Sequence, residues 1–353
     1  MPSFILPDIL QYWPWKRTIN PHYEECRRES MAWSRGLNAM TPKAQAAFEL
    51  FDPPLLASLG FPKLSKGFLA PAFIVFRVLT ETFAEGCRVV CDLMFFVGYF
   101  DDRTDAMKPA EVQEWVNIVM DILRGRRSAS ADGPIIGPIT QSFWDNAKRV
   151  LTESCQKHFI TEFETYLLSV VRQAEVRGSE NQLTPDSYMI FRRGDICAMP
   201  MFVLLLMEMV IPPTFLQTES LAELSICAVD MIILANDIYS YNVEQARGEA
   251  HNIVSIVMMH HDFSLDEAIS HITSMHDSIV SRFITLSRRL PSFGSPGIDE
   301  MALRYVDGLG NWIRANECWS FESWRYFRDA GLQIQRDRVV ELLPVIRTVS
   351  LQA

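Results

Sequence analysis

Two clusters in this sequence carry residue types that can hold a hard cation. The first is Asp101-Asp102-Arg103-Thr104-Asp105, which follows the aromatic run Phe95-Phe96-Val97-Gly98-Tyr99-Phe100. On a helix Asp101 and Asp105 share a face one turn apart, and such carboxylates suit a Mg2+ ion that keeps waters and shares substrate phosphates. An acidic helix end is also ordinary solvated surface, so this cluster alone decides nothing. The second is Asn236, Ser240 and Glu244, which begins where the apolar run 231–234 ends. Spaced i, i+4, i+8 at about 100° per residue, the three drift by only about 80° and stay on one stripe. A solvated stripe would more often use Glu, Lys or Gln, because Asn and Ser are middling helix formers. Oxygen donors at a cavity mouth fit the stripe better.

Taken together, the two sites would hold divalent ions that neutralise a diphosphate while its hydrocarbon tail enters an aromatic cavity below. Such an anion needs donors as well. Arg192 and Arg193 stand just before Asp195, with Tyr188 one turn before Arg192, and Arg325-Tyr326 closes the aromatic segment 312–327. Arginine suits phosphate because its planar fork donates two hydrogen bonds and stays charged. Each of these arginines, taken singly, also fits a surface ion pair.

The elements that position these groups read as helices. Apolar residues recur three and four apart through most of the chain, for example Val112, Trp115, Val116, Ile118, Val119, Ile122 and Leu123, and few stretches alternate with period two. Breaks fall at Asp52-Pro53-Pro54, 124–138, 177–185, Pro212-Pro213 and 291–297, none long enough for an interdomain linker. With no internal repeat, this predicts an all-α, single-domain helical bundle around a central apolar cavity, spanning 1–353, rather than two smaller helical domains. Thr184-Pro185 predicts a helix start ahead of the run 188–207, and Ser264 with Glu267 forms a capping-box pattern.

Composition narrows the partners. The chain is 48 % hydrophobic and 22 % charged, which excludes disorder as its main theme. A formal charge of -10 repels a phosphate backbone and speaks against nucleic acid. The longest apolar run, 196–207, is interrupted by Pro200 and falls short of the roughly 20 residues a membrane span needs, so it reads as a buried core helix. Seven scattered cysteines without a two-residue spacing suit buried thiols in a reducing compartment. An amino terminus without a basic region fits a cytoplasmic protein.

The combination resembles the class I terpene synthases, in particular the sesquiterpene cyclases of mushroom-forming fungi. Asp101 to Asp105 is similar to their aspartate-rich motif, Asn236, Ser240 and Glu244 to the N-D/D-x-x-S-x-x-x-E motif, and Arg325-Tyr326 to the carboxy-terminal R-Y pair. Trp13-Pro14-Trp15, Cys91-Asp92-Leu93-Met94, Gly308-Leu309-Gly310-Asn311-Trp312 and the string 241–248 extend the resemblance over roughly residues 6–330. It implies that Asp101 ligates Mg2+ on one side of a diphosphate and that Asn236, Ser240 and Glu244 hold Mg2+ opposite, three ions in all with substrate bound. Arg192 would sense the diphosphate, Asp195 would link it to a helix break, and Arg325 and Tyr326 would bind phosphate oxygens on closure. Asp105 would orient Arg325 or a metal-bound water. Aromatic faces such as Phe95, Phe96, Tyr99, Tyr239, Trp312 and Trp319 would stabilise a carbocation.

The implied activity is Mg2+-dependent ionisation and cyclisation of farnesyl diphosphate by a monomer or homodimer. At its narrowest the resemblance is to the Δ6-protoilludene synthase group, which performs 1,11-cyclisation. Rival expectations are a chain-elongating prenyl diphosphate synthase, against which Asn, Ser and Glu replace a second aspartate-rich motif, and a non-catalytic isoprenoid carrier. Two departures stand out. The family usually has a glycine close after the sensor arginine, where this chain has Ile196-Cys197, so either Arg192 or Arg193 could be the sensor. The stretch 67–85, rich in Phe and Val, does not align with the family.

Overall fold

The helical periodicity is realised almost throughout the structure, a computed structural model that describes residues 2–62, 76–130, 132–177 and 183–345. In chain order the helices are α1 (Tyr23–Gly36), α2 (Pro42–Leu50), α3 (Pro53–Gly60), α4 (Phe76–Thr104), α5 (Pro109–Leu123), α6 (Ile136–Val150) and α7 (Glu153–Val176). There follow α8 (Pro185–Asp195), α9 (Ala198–Val203), α10 (Glu219–Arg247), α11 (Ile253–His261), α12 (Leu265–Ser287), α13 (Pro296–Glu322) and α14 (Gly331–Asp337). The stretch 67–85 lies outside the described residues up to Phe76, where α4 begins.

Local chemistry sets the helix ends as the sequence suggests. Thr184 accepts a hydrogen bond from the Ser187 backbone N–H ahead of Pro185 and starts α8. Ser264 and Glu267 form the reciprocal cap of α12, satisfying two donors that the first turn would leave orphaned. The run 188–207 is not one helix, however. Helix α8 stops at Asp195, Cys197 takes the left-handed conformation at φ 57°, and α9 restarts at Ala198. Pro200 explains the break, since a continuous helix would drive its ring into the carbonyl of Ile196 and leave that carbonyl without a donor.

Two short strands escape the periodicity reading because three residues are too few to show alternation. β1 (Ser3–Ile5) pairs antiparallel with β2 (Val339–Glu341), with Phe4 opposite Val340. Asn242 of α10 holds this clasp in place. Its Nδ2 donates to the Glu341 carbonyl at 2.9 Å and its Oδ1 accepts from the Leu343 N–H at 2.8 Å.

Helix α10 packs against α8, α11, α12 and α13, while α4 packs against α1, α3 and α6, and α5 against α6 and α7. Between α4, α6 and α7 lies an aromatic core in which the Phe159 and Phe163 centroids are 5.1 Å apart and those of Phe96 and Phe163 5.4 Å. Each such pair contributes about 0.5–1.5 kcal/mol beyond its buried area. Two strings of the resemblance also meet in space: Trp13 Nε1 donates to the Gly310 carbonyl at 3.0 Å. Only glycine fits at 310, because a Cβ there would stand 2.2 Å from the Trp15 ring.

Candidate active site

Helix α10 presents the polar stripe as its spacing requires. Asn236 Nδ2 donates to the Tyr326 hydroxyl at 2.7 Å, which joins the stripe directly to the carboxy-terminal pair. One turn on, Ser240 is buried, and one turn further Glu244 Oε2 accepts from Asn252 Nδ2 at 2.9 Å. Asn236 Oδ1 and Glu244 Oε1 have no hydrogen-bond partner among the described residues.

Opposite them, Asp101 sits in the last turn of α4. Its carboxylate makes no hydrogen bond or ion pair among the described residues. Burial, with Asp105 close by, pushes its pKa up to about 6 against the pull of Arg192 and Arg325. Arg325 feels the charge of both Asp101 and Glu244, so this guanidinium bridges the field of the two acidic sites. Its Cζ stands 5.0 Å from the Phe51 ring and 5.9 Å from the Tyr326 ring. Asp101 and Glu244 therefore both lie within electrostatic range of Arg325.

The two adjacent arginines diverge. Arg192 Nη1 donates to Asp195 Oδ1 at 2.6 Å, and its Nε lies 4.0 Å from Asp237 Oδ1. Neither Arg192 Nε nor Asp195 Oδ2 has a hydrogen-bond partner among the described residues, although both are buried. Arg193 points away and makes a two-pronged pair with Asp230 at 2.7 and 2.8 Å. Of the two, Arg192 turns toward the site. Asp195 ends α8, two residues before the left-handed Cys197.

Asp105 takes a different partner from the one expected. Its carboxylate pairs with Arg177 at 3.3 Å, and Arg177 also donates to the carbonyls of Thr104 and Asp105. Arg177 thus closes the end of α4, and Arg325 reaches Asp105 only through its longer-range field. Arg103 turns outward to the Ala39 carbonyl, and Asp102 is exposed.

The aromatic candidates divide in the same way. Phe95 packs edge-on against Trp33 and Phe48, Phe96 sits within the aromatic core, and Tyr99 stacks on Trp115. Tyr239 packs against Phe321, and Trp312 against Phe61. Trp319 touches the site, with its ring 5.9 Å from that of Tyr326.

Two polar residues of the site went unassigned in the sequence. Asp237 is buried and accepts from the Tyr188 hydroxyl at 2.6 Å and from the Ile253 N–H at 2.8 Å. Burial pushes its carboxyl up to about 7 despite Arg192 beside it. Asn252 caps α11 and reaches back to α10. An Asn just before the apolar pair Ile253-Val254, four residues after Gly248, was the available signal.

The donor set suits a hard divalent cation. It consists of carboxylate, amide and hydroxyl oxygens, with no thiolate or imidazole among them. Among the described residues no group of three or more His, Cys, Asp or Glu could hold a metal by itself. Each side offers a partial shell instead, and phosphate oxygens and water are suited to completing it.

Comparison with known proteins agrees with this geometry. Residues 92–282 match the family model for terpene synthase family 2, C-terminal metal binding. A Delta(6)-protoilludene synthase from Cyclocybe aegerita is 42 % identical over 343 residues, covering 97 % of this chain and 49 % of that protein. This chain therefore spans about half the length of that relative. A Delta(6)-protoilludene synthase from Stereum hirsutum is 40 % identical over 98 % of this chain and 89 % of its own length. Among solved structures, a linalool/nerolidol synthase from Streptomyces clavuligerus superposes with a TM-score of 0.72 at 17 % identity, covering 90 % of this chain and 100 % of that one. That last likeness shows the fold.

Proposed function

This chain belongs to the terpene synthase family, and on that premise we propose that it ionises farnesyl diphosphate, cyclises the cation and releases diphosphate. It is an enzyme of the lyase class, a terpene cyclase that takes a prenyl diphosphate and a divalent metal. The product we propose is Δ6-protoilludene, formed by 1,11-cyclisation, since relatives of that name are 42 % and 40 % identical to this chain. One observation carries the reading. Tyr326 accepts a hydrogen bond from Asn236 at 2.7 Å, and its neighbour Arg325 lies within electrostatic range of both Asp101 and Glu244, which supports a site shared by the R-Y pair and the two acidic clusters.

Mg2+, three ions with substrate bound, would supply the charge that stabilises the departing diphosphate, held by Asp101 on one side and by Asn236, Ser240 and Glu244 on the other. Arg192, with its Nε unpartnered, and Arg325, held beside the Phe51 and Tyr326 rings, would be donors to phosphate oxygens. A guanidinium fixed before substrate arrives stabilises the leaving group without reorganising. Asp195 and Asp237 hold Arg192 from two sides. The Tyr326 hydroxyl accepts from Asn236 Nδ2 and so keeps its own proton, which it would donate to a phosphate oxygen. The apolar interior excludes water from the cation.

We take residues 1–353 as one cyclase domain, acting in the cytoplasm as a monomer or homodimer. All seven cysteines are buried, and no helix among the described residues is long and apolar enough to cross a membrane.

The test is a product analysis. Purified protein is incubated with farnesyl diphosphate and Mg2+, with and without isopentenyl diphosphate, and the extract is run on gas chromatography while diphosphate release is followed. A cyclic hydrocarbon in both reactions supports the proposal. A longer prenyl diphosphate in the second reaction would make the enzyme an elongating synthase, and binding without diphosphate release would make it a carrier.

A further inference from the structure

The connection between α10 and α11 places one side chain against two residues of the metal stripe, Ser240 and Glu244. Gly248 ends α10 at φ 77°, the chain reverses, and Asn252 enters α11 in an extended conformation. Its side chain is completely buried. Oδ1 accepts from the Val254 N–H at 2.8 Å and so caps α11. Nδ2 faces three oxygens of α10: the Asp237 carbonyl at 2.8 Å, Glu244 Oε2 at 2.9 Å and Ser240 Oγ at 3.3 Å.

An amide nitrogen has two hydrogens. The two shorter contacts use both, which leaves Ser240 Oγ and Glu244 Oε1 available to a cation. We propose that Asn252 is a positioning residue for the metal stripe, pinning the Glu244 carboxylate through Oε2 so that Oε1 and Ser240 Oγ present one fixed edge. The inference rests on the proposed function and adds a residue to it. The role needs an acceptor and two donors on one short side chain. Aspartate supplies the acceptor and sets a second carboxylate against Glu244, while serine keeps the cap and loses both donors to α10.

Serine is as good a helix cap as asparagine, so Asn252→Ser separates capping from positioning. Mn2+ binding in the presence of inorganic diphosphate is measured by the paramagnetic resonance signal of free Mn2+, alongside the thermal midpoint. Loss of an orienting partner weakens metal affinity by about 10- to 100-fold. The Ser variant should therefore melt within a few degrees of the parent and bind Mn2+ about tenfold more weakly. Its turnover should recover at high Mg2+, which structural damage would not allow. Asn252→Asp should bind more weakly still. A Ser variant that binds Mn2+ as tightly as the parent overturns the inference, as does turnover that no Mg2+ concentration restores. A parent protein that takes up no Mn2+ with diphosphate would instead overturn the metal reading itself, and the role of Asn252 with it.

Discussion

The face where α8, α10 and α11 meet and the face where α4, α6 and α7 meet are both buried, yet they are built from opposite materials. In the second, Phe96, Phe143, Phe159 and Phe163 touch ring to ring, and no contact depends on one atom being in one place. In the first, Tyr188 bonds to Asp237, Arg192 to Asp195, and Asn252 to the Asp237 carbonyl and to Glu244, through hydrogen bonds of 2.6–2.9 Å. An aromatic core tolerates loss as a matter of degree, because dispersion and apolar burial are summed over many weak contacts. A buried polar network fails discretely, since each lost partner leaves another group unsatisfied in a medium where that is costly. The chemistry is expected on the side that cannot be approximated.

The comparison breaks most visibly at the stripe. Glu244→Ala or Asn236→Ala should lower turnover by more than about 100-fold, beyond what losing an orienting partner does, with the helical circular dichroism intact. Near-normal turnover would remove these residues from the metal site. On the aromatic side, Phe159→Ala should cost about 3–5 kcal/mol of stability. Turnover per folded molecule should stay within about twofold, because the cavity opens between α6 and α7 rather than at the site. A denaturant titration paired with an assay well below the melting temperature separates the two effects.

A sharper version uses neighbouring residues. Arg192→Lys keeps a charge but loses the fork that spans Asp195 and Asp237, and kcat should fall by about 10²-fold, the scale of losing one preorganised donor. Arg193→Ala leaves the buried Asp230 carboxylate without its partner and should cost about 1–3 kcal/mol of stability with turnover unchanged. Equal losses at the two positions would mean that the structure has not distinguished them.

How far the sequence foretold this arrangement depended on how local each signal was. Asn236, Ser240 and Glu244 share a stripe because one helix holds all three, so spacing alone placed them. Arg192 and Arg193 are about 100° apart on α8, and only the carboxylates that each one meets, on α10 and at the end of α8, tell them apart. Asp105 looked like a residue that orients Arg325 or a metal-bound water, yet its ion pair is with Arg177, just past the end of α7, a residue that no spacing rule connects to it. Asn252 makes its contacts across a chain reversal. The break after Asp195 was half legible: Pro200 forbids a continuous helix, yet nothing marked Cys197 as the residue to turn left-handed. A side chain pays about 1–2 kcal/mol for that conformation, and glycine avoids the cost.

His276 is the exception within the scaffold, and it gives the smallest expected effect. It lies in α12, fully buried, with neither ring nitrogen hydrogen-bonded among the described residues. Burial lowers its pKa to about 4, whereas an unfolded histidine titrates near ~6.5. Between those values the unfolded chain binds the extra proton, so the stability that the neutral ring contributes is present above about pH 6.5 and lost as pH falls toward 4. Its slope cannot exceed about 1.4 kcal/mol per pH unit. His276→Leu removes both the titration and two orphaned polar atoms. The variant should be more stable than the parent at pH 7 by about 1–3 kcal/mol, and the gap should widen toward pH 4.5 with turnover at pH 7 unchanged. Unfolding midpoints that run parallel with pH would mean that the ring is partnered after all, and that buried polar groups in the scaffold are satisfied as they are in the network of α8, α10 and α11.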